Sequence, residues 1–189
     1  MRHVGLRLSR TLRCWGTQQT VATVTRDALP VAPLMTLFLI RHATAGVRDH
    51  ANPNDDQRPL DPFGLGQAAA IADLLADEPI EAVLSSGALR CHQTVAPLAE
   101  RLGLEVEHAT QLFEGQSRSS SIEFVRSFTG RTVVLCSHGD VIPDVLRNLE
   151  VGGSRLEGRG CAKGSIWRLD NSTDRIETAD YLGSIDPPS

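Results

Sequence analysis

The sequence predicts an α/β fold of three layers, with a mainly parallel sheet between two layers of helix. Three observations predict it. From Thr36 onward, short apolar runs alternate with segments of helical periodicity. The strongest runs are too short to be helices and are bounded by polar turns, as buried parallel strands are. A length of 189 residues, 41% hydrophobic and 22% charged, suits one soluble domain with a substantial core.

The elements follow in order. Residues 36–41 (TLFLIR) read as a buried strand ending at His42. Residues 64–77 carry Ala68, Ile71, Ala72 and Leu75 at helical spacing, with GLGQAA (64–69) read as the loop leading in. Residues 81–86 (EAVLSS) read as a second strand, and 88–102 as a helix that Pro97 should kink or split. Residues 104–108 alternate like a short strand, and 119–128 suggest a helix. RTVVLCS (131–137) is the clearest strand. Residues 141–149 follow as a helix, with Pro143 tolerable in its first turn. SIWRLD and DRIETADYL close the chain as a hairpin around Asn171–Asp174.

The first 34 residues differ from the rest. They hold Arg2, Arg7, Arg10, Arg13 and Arg26 against one acid, Asp27, a net of +4. The chain total is −4, so residues 35–189 carry −8. An Arg-rich, acid-poor start resembles an organellar transit peptide. The favoured reading is a disordered tail, or an extension ahead of the true initiator Met35, because a compact strand begins directly there. The domain is expected over 35–189. A domain at −8 is not built for nucleic-acid backbones, and any phosphate site in it must be a local Arg cluster. No apolar run approaches about 18 residues, so no membrane partner is expected. The four cysteines (14, 91, 136, 161) form no C-x-x-C pair, and Cys136 lies in an apolar run. They predict a reducing, cytoplasmic setting rather than a disulfide framework.

Three strand ends share one chemistry. The first ends in Arg41-His42, the second in Ser85-Ser86 with Arg90 one turn further on, and the third in Ser137-His138-Gly139-Asp140. In open α/β sheets, ligands bind at the carboxyl ends of strands. Two His and two Arg converging there make an anion site with a candidate nucleophile, since the planar guanidinium bonds two phosphate oxygens at once. A lone His or Arg at such a place is usually structural. Four at three equivalent strand ends are not easily so explained.

The segment LIRHATA (39–45) resembles the R-H-G/A signature of the histidine phosphatase superfamily, whose members are phosphoglycerate mutase-like. LSSGALRCHQT (84–94) resembles its second motif, and SHGD (137–140) its second-histidine motif. The resemblance covers about residues 35–182. The Ala after His42 and the compact length point to the SixA-like branch. RCHQT-x-x-PLA-x-x-LG (90–103), VIPD (141–144) and KGS-x-W (163–167) are similar to the phosphatase domain fused to some MutT-type Nudix hydrolases, although no Nudix signature occurs here.

The resemblance implies a phosphatase acting through a phosphohistidine on His42. Arg41, Arg90 and His138 would hold the phosphoryl oxygens, with no metal and no cofactor. It implies a proton donor between the second and third motifs, for which Glu114 in QLFEG fits and Asp140 is the rival. Its substrate would be a small phosphorylated molecule, including a nucleotide, or a phosphohistidine protein. Arg48 and Arg58 in the loop 43–62, and Lys163, are candidates for the pocket rim. His92 and Gln93 are expected to support Arg90. His3, His50 and His108 are expected to stand apart.

Other chemistries fail on the sequence. No cysteine has Arg at the C-x₅-R spacing, Lys163 lacks the P-loop context, and no third ligand for zinc accompanies His42 and His138. The competing function is a non-catalytic phosphate-binding module of the same fold. That reading expects the loss of His42, Arg41, Arg90 or His138, and all four are present.

Overall fold

The computed structural model describes residues 35–49 and 51–187; the expectations for residues 1–34 and for His50 lie outside them. Seven strands and four α-helices follow one another: β1 Met35–Arg41, α1 Pro62–Leu75, β2 Ala82–Ser85, α2 Leu89–Leu102, β3 Val106–His108, α3 Arg118–Arg126, β4 Val133–Ser137, α4 Val141–Val151, β5 Arg155–Glu157, β6 Ser165–Asn171 and β7 Ile176–Ser184. The sheet order is β3-β2-β4-β1-β6-β7-β5. β1, β2, β3 and β4 pair in parallel, β6 is antiparallel to both β1 and β7, and β5 runs parallel to β7. β6 is therefore the one strand of the seven that runs against the rest, and the sheet is mainly parallel as the alternating pattern predicts.

Successive side chains on a strand face opposite sides of the sheet. Leu37 and Leu39 of β1 join Leu135, Ile122, Val125 and the apolar face of α4 in one core. Phe38 and Ile40 join Val134, Cys136 and the buried faces of α1 and α2 in another. The two cores are the two interfaces of a three-layer α/β/α sandwich. Leu39, Leu98 and Leu135 are fully buried, and truncating such a leucine to alanine typically costs about 2–5 kcal/mol. Among the described residues no helix is long and apolar enough to cross a membrane.

Two local expectations are corrected, and one strand is new. GLGQAA is not a loop: α1 starts at Pro62, with the Asp61 side chain accepting from Gly64 N–H at 2.8 Å as N-cap. Gly64 is needed there because a Cβ would lie 1.9 Å from Thr44 O. α2 runs unbroken through Pro97, where buried Val95, Leu98 and Ala99 hold the helix against the sheet despite the lost hydrogen bond. β5 was not legible, being three residues long and paired only along β7.

Candidate active site

The site forms because β2, β4 and β1 are neighbours that run the same way. Their carboxyl ends lie side by side, and the ladder continues one step beyond them. His42 N–H donates to Ser137 O at 3.0 Å, and Ser86 N–H to Cys136 O at 3.0 Å. His42 and His138 therefore meet edge to face, with ring centroids 5.4 Å apart. Arg90 enters from the second position of α2. His42, His138 and Arg90 are 5%, 1% and 1% exposed, so each polar group there needs a partner or a ligand.

His42 Nδ1 is 2.8 Å from Ala43 O, a carbonyl that only accepts. The proton is thus on Nδ1, and Nε2 keeps its lone pair. Burial pushes the His42 pKa down to about 3, the Ala43 carbonyl opposing and the fields of His138, Arg90 and Arg41 reinforcing the shift. The ring is neutral at ordinary pH, with a lone pair on Nε2.

Arg90 is gripped from two sides. One terminal nitrogen donates to Asp55 O at 2.7 Å, and the other donates to Glu114 Oε1 at 2.9 Å. Arg41 donates to Cys161 O, and its guanidinium lies flat on Gly139: a Cβ there would meet Arg41 Cζ at 2.8 Å. Arg41 thereby sets a cation beside Gly139, the residue next to His138. Among the described residues, Arg41 Nε, Arg90 Nε and His138 Nδ1 are buried side-chain nitrogens without a hydrogen-bond partner.

These residues line a cavity of about 500 Å³ with Gly46, Arg48, Arg58, Glu114, Gly139, Asp140 and Lys163. Every residue singled out from sequence for the site reaches it. Five cationic side chains face two carboxylates. Glu114 bridges Arg90 and Arg48, the latter at 3.1 Å. Asp140 Oδ2 accepts from Gly115 N–H at 2.8 Å and so braces the Glu114 turn. Arg58 binds Asp55 at 2.8 Å and donates to Ala45 O. Burial and the fields of Arg58 and Arg41 lower the Lys163 pKa.

Sequence reasoning missed several residues. Asp55 ties Arg48, Arg58 and Arg90 together. The buried Thr94 hydroxyl accepts from Ala43 N–H at 2.9 Å and donates to Arg90 O at 2.7 Å. Gln67 accepts from Thr44 N–H at 3.0 Å and donates to Lys163 O at 3.2 Å. The expected support of Arg90 by His92 and Gln93 is corrected: Gln93 accepts from Leu60 N–H at 2.8 Å, and His92 stacks on His108. Among the described residues no group of three or more His, Cys, Asp or Glu is placed to hold a metal ion.

Comparison with known proteins gives a consistent picture. The family model described as the histidine phosphatase superfamily (branch 1) matches residues 37–119. An 8-oxo-(d)GTP phosphatase of Mycolicibacterium smegmatis is 32% identical over 157 residues, 80% of this chain and 49% of the relative. The chain thus spans about half the length of that relative. Among solved structures, the protein histidine phosphatase SixA complexed with tungstate superposes with a TM-score of 0.62 at 20% identity, covering 81% of this chain and 97% of that one. A phosphohistidine phosphatase SixA assigned in Nakamurella does so with 0.62 at 24%, covering 84% and 99%.

Proposed function

We propose that this chain, which matches the histidine phosphatase superfamily (branch 1) model over residues 37–119 and is 32% identical to a phosphatase relative, hydrolyses a phosphorylated small molecule through a covalent phosphohistidine on His42, without a metal or cofactor. One observation carries the proposal: a neutral histidine with a free Nε2 faces a cavity whose buried Arg41, Arg90 and His138 nitrogens have no partner of their own. Buried donors without partners each cost about 1–3 kcal/mol, and a phosphoryl group would satisfy them.

The chemistry follows from these positions. His42 Nε2 attacks phosphorus in line, forming a P–N bond as the P–O bond to the leaving group breaks. Arg41, Arg90 and His138 donate to the non-bridging oxygens and stabilise the charge on the transferring group. An arriving phosphate competes with Glu114 for Arg90; the released carboxylate takes up a proton from the substrate phosphate or from water and passes it to the leaving oxygen, then takes one from the attacking water in the second step. Asp140 is the weaker donor, since its Oδ2 already accepts from Gly115 N–H. Water then attacks phosphorus, the P–N bond breaks, and His42 is regenerated with inorganic phosphate released. The Arg and His donors supply the charge stabilisation that a metal ion would otherwise give.

The rim supports a small, highly charged substrate such as a nucleotide phosphoanhydride over a phosphohistidine protein. Arg48, Arg58 and Lys163 surround the cavity beyond the phosphoryl-binding floor, and the 32% identical relative is an 8-oxo-(d)GTP phosphatase. A substrate panel in EDTA tests the proposal: p-nitrophenyl phosphate, an alkyl phosphate, a nucleoside diphosphate and a phosphohistidine protein. Turnover should survive the chelator, with the diphosphate preferred. Turnover lost in EDTA and restored by Zn²⁺ or Mg²⁺ would sink the metal-free mechanism. Phosphate binding without turnover of any substrate would make the chain a binding module.

A further inference from the structure

We propose that Ser86 sets the tautomer of His138, holding its proton on Nδ1 so that Nδ1–H is the donor offered to the phosphoryl group. The inference rests on the phosphatase reading and adds a positioning residue to it. Ser86 is fully buried and does not line the cavity. Its hydroxyl is 2.7 Å from His138 Nε2.

Hydrogen accounting decides the direction of that bond. Ser86 Oγ accepts from Ala88 N–H at 3.3 Å. Its own hydrogen then needs an acceptor, and among the described residues the hydrogen-bonded acceptor is His138 Nε2. The neighbouring hydroxyls are committed elsewhere, Ser85 to Ser86 O at 2.8 Å and Ser137 to Leu112 O at 2.7 Å. The Cys91 thiol lies 3.5 Å from Nε2, but its hydrogen has Ser137 O as acceptor at 3.7 Å. Nε2 therefore accepts, and in a neutral ring the proton is on Nδ1, the nitrogen that has no partner.

The opposite tautomer is penalised twice. Nε2–H would donate to Ser86, leaving a fully buried hydroxyl hydrogen with no acceptor. It would also present a lone pair on Nδ1 to an anionic phosphoryl group, converting attraction into repulsion. The backbone hydrogen bond from Ser86 N–H to Cys136 O, at 3.0 Å, anchors the Ser86 main chain beside β4.

The test reads the tautomer directly, by long-range ¹H–¹⁵N spectra of the ¹⁵N-labelled full chain. In the wild type, His138 should show a protonated Nδ1 and an unprotonated Nε2. An Nε2–H tautomer there overturns the proposal without any variant. Ser86→Ala should give mixed tautomers and reduce kcat on p-nitrophenyl phosphate by about 10-fold or more, below the roughly 10²–10³-fold cost of losing a transition-state donor outright. Ser86→Thr, which keeps the hydroxyl, should restore both. An unchanged tautomer or unchanged kcat in a folded Ser86→Ala overturns the proposal. A wild type that neither binds inorganic phosphate nor turns over any ester fails the phosphatase reading instead, and the spectra distinguish the two failures.

Discussion

The floor of the cavity and its rim both use arginine, and satisfy it in opposite ways. On the floor, His42, Arg90 and His138 are at most 5% exposed, and Arg41, Arg90 and His138 each keep a buried nitrogen without a partner. On the rim, Arg48 is 48% exposed and Glu114 23%, and the charges pair among themselves: Arg48 with Glu114, Arg58 with Asp55. The exposed Arg48–Glu114 pair contributes about 0–1 kcal/mol and is screened by salt, whereas the Arg58–Asp55 pair is largely buried. A buried unpaired donor is a standing cost that only a ligand removes. The difference teaches where binding energy is held. The floor keeps donors that an anionic ligand can satisfy, and the rim's charges satisfy one another. Arg90 joins the two, with Nε unpaired and both terminal nitrogens tied to Asp55 and Glu114.

The largest expected effect separates two residues of the floor itself. His42→Ala should abolish turnover, because in this assignment His138 and Lys163 bind the phosphoryl group or line the rim and do not attack it. His138→Ala should leave a slow enzyme that still labels, since one lost donor typically costs about 10²–10³-fold. Labelling with a radioactive phosphate donor, followed by peptide mapping, checks both. Label on the peptide containing His138, or full activity in His42→Ala, would break the assignment.

Glu114 lies where floor and rim meet, so its effect should depend on the substrate. General acid catalysis contributes about 10²–10⁴-fold when a leaving oxygen must be protonated. Glu114→Gln should slow an alkyl phosphate by that order and p-nitrophenyl phosphate only weakly. Equal losses on both would assign Glu114 to holding Arg90 rather than to proton transfer.

The floor was legible in the sequence because each of its residues has a fixed offset from an apolar strand. Arg41-His42 and Ser137-His138 end β1 and β4, and Arg90 follows β2 at a set distance into α2. The rim's wiring was not legible. Asp55 is one of four aspartates between residues 49 and 61, and nothing local tells which of them reaches Arg90; the fold of the 43–62 loop decides it. Thr94 looks like an ordinary helical polar residue, and Gln67 like a loop one, until α1 and α2 are packed beneath that loop. Ser86 was visible as a strand end, but its bond to His138 depends on β2 lying beside β4. The start of α1 was missed for a related reason: its glycines read as loop, whereas Gly64 serves a close approach to Thr44.

Burial of His42 also leaves a mark on stability. Its folded pKa is about 3, against an ordinary 6.5. Between those values the unfolded chain binds a proton that the folded chain does not, so stability falls as pH falls through that window. The part due to His42 should be about 2 kcal/mol between pH 7 and pH 5. His42→Asn should flatten the unfolding free energy over that range relative to the wild type. Denaturant titrations at the two pH values measure the difference. The His42 ring resonances should also stay flat from pH 8 to pH 5; a midpoint near the ordinary value would show a ring open to water.

The smallest expected effect belongs to Arg48, and it probes the rim alone. Its side chain is half exposed and meets Glu114 at 3.1 Å and Asp55 at 3.7 Å. Removing it leaves both acids with other cations, Arg90 and Arg58. Arg48→Ala should therefore change stability by less than about 1 kcal/mol and kcat on p-nitrophenyl phosphate by only a few-fold. A substrate with a second phosphate offers the rim a better anion than Glu114 does, so KM for a nucleoside diphosphate should rise more than KM for the aryl ester. Salt should narrow that gap, because screening weakens the wild-type rim and leaves the variant little to lose. A loss of about 10²-fold in kcat on the aryl ester would move Arg48 onto the floor, since an effect of that size is expected only of a donor to the transferring phosphoryl group.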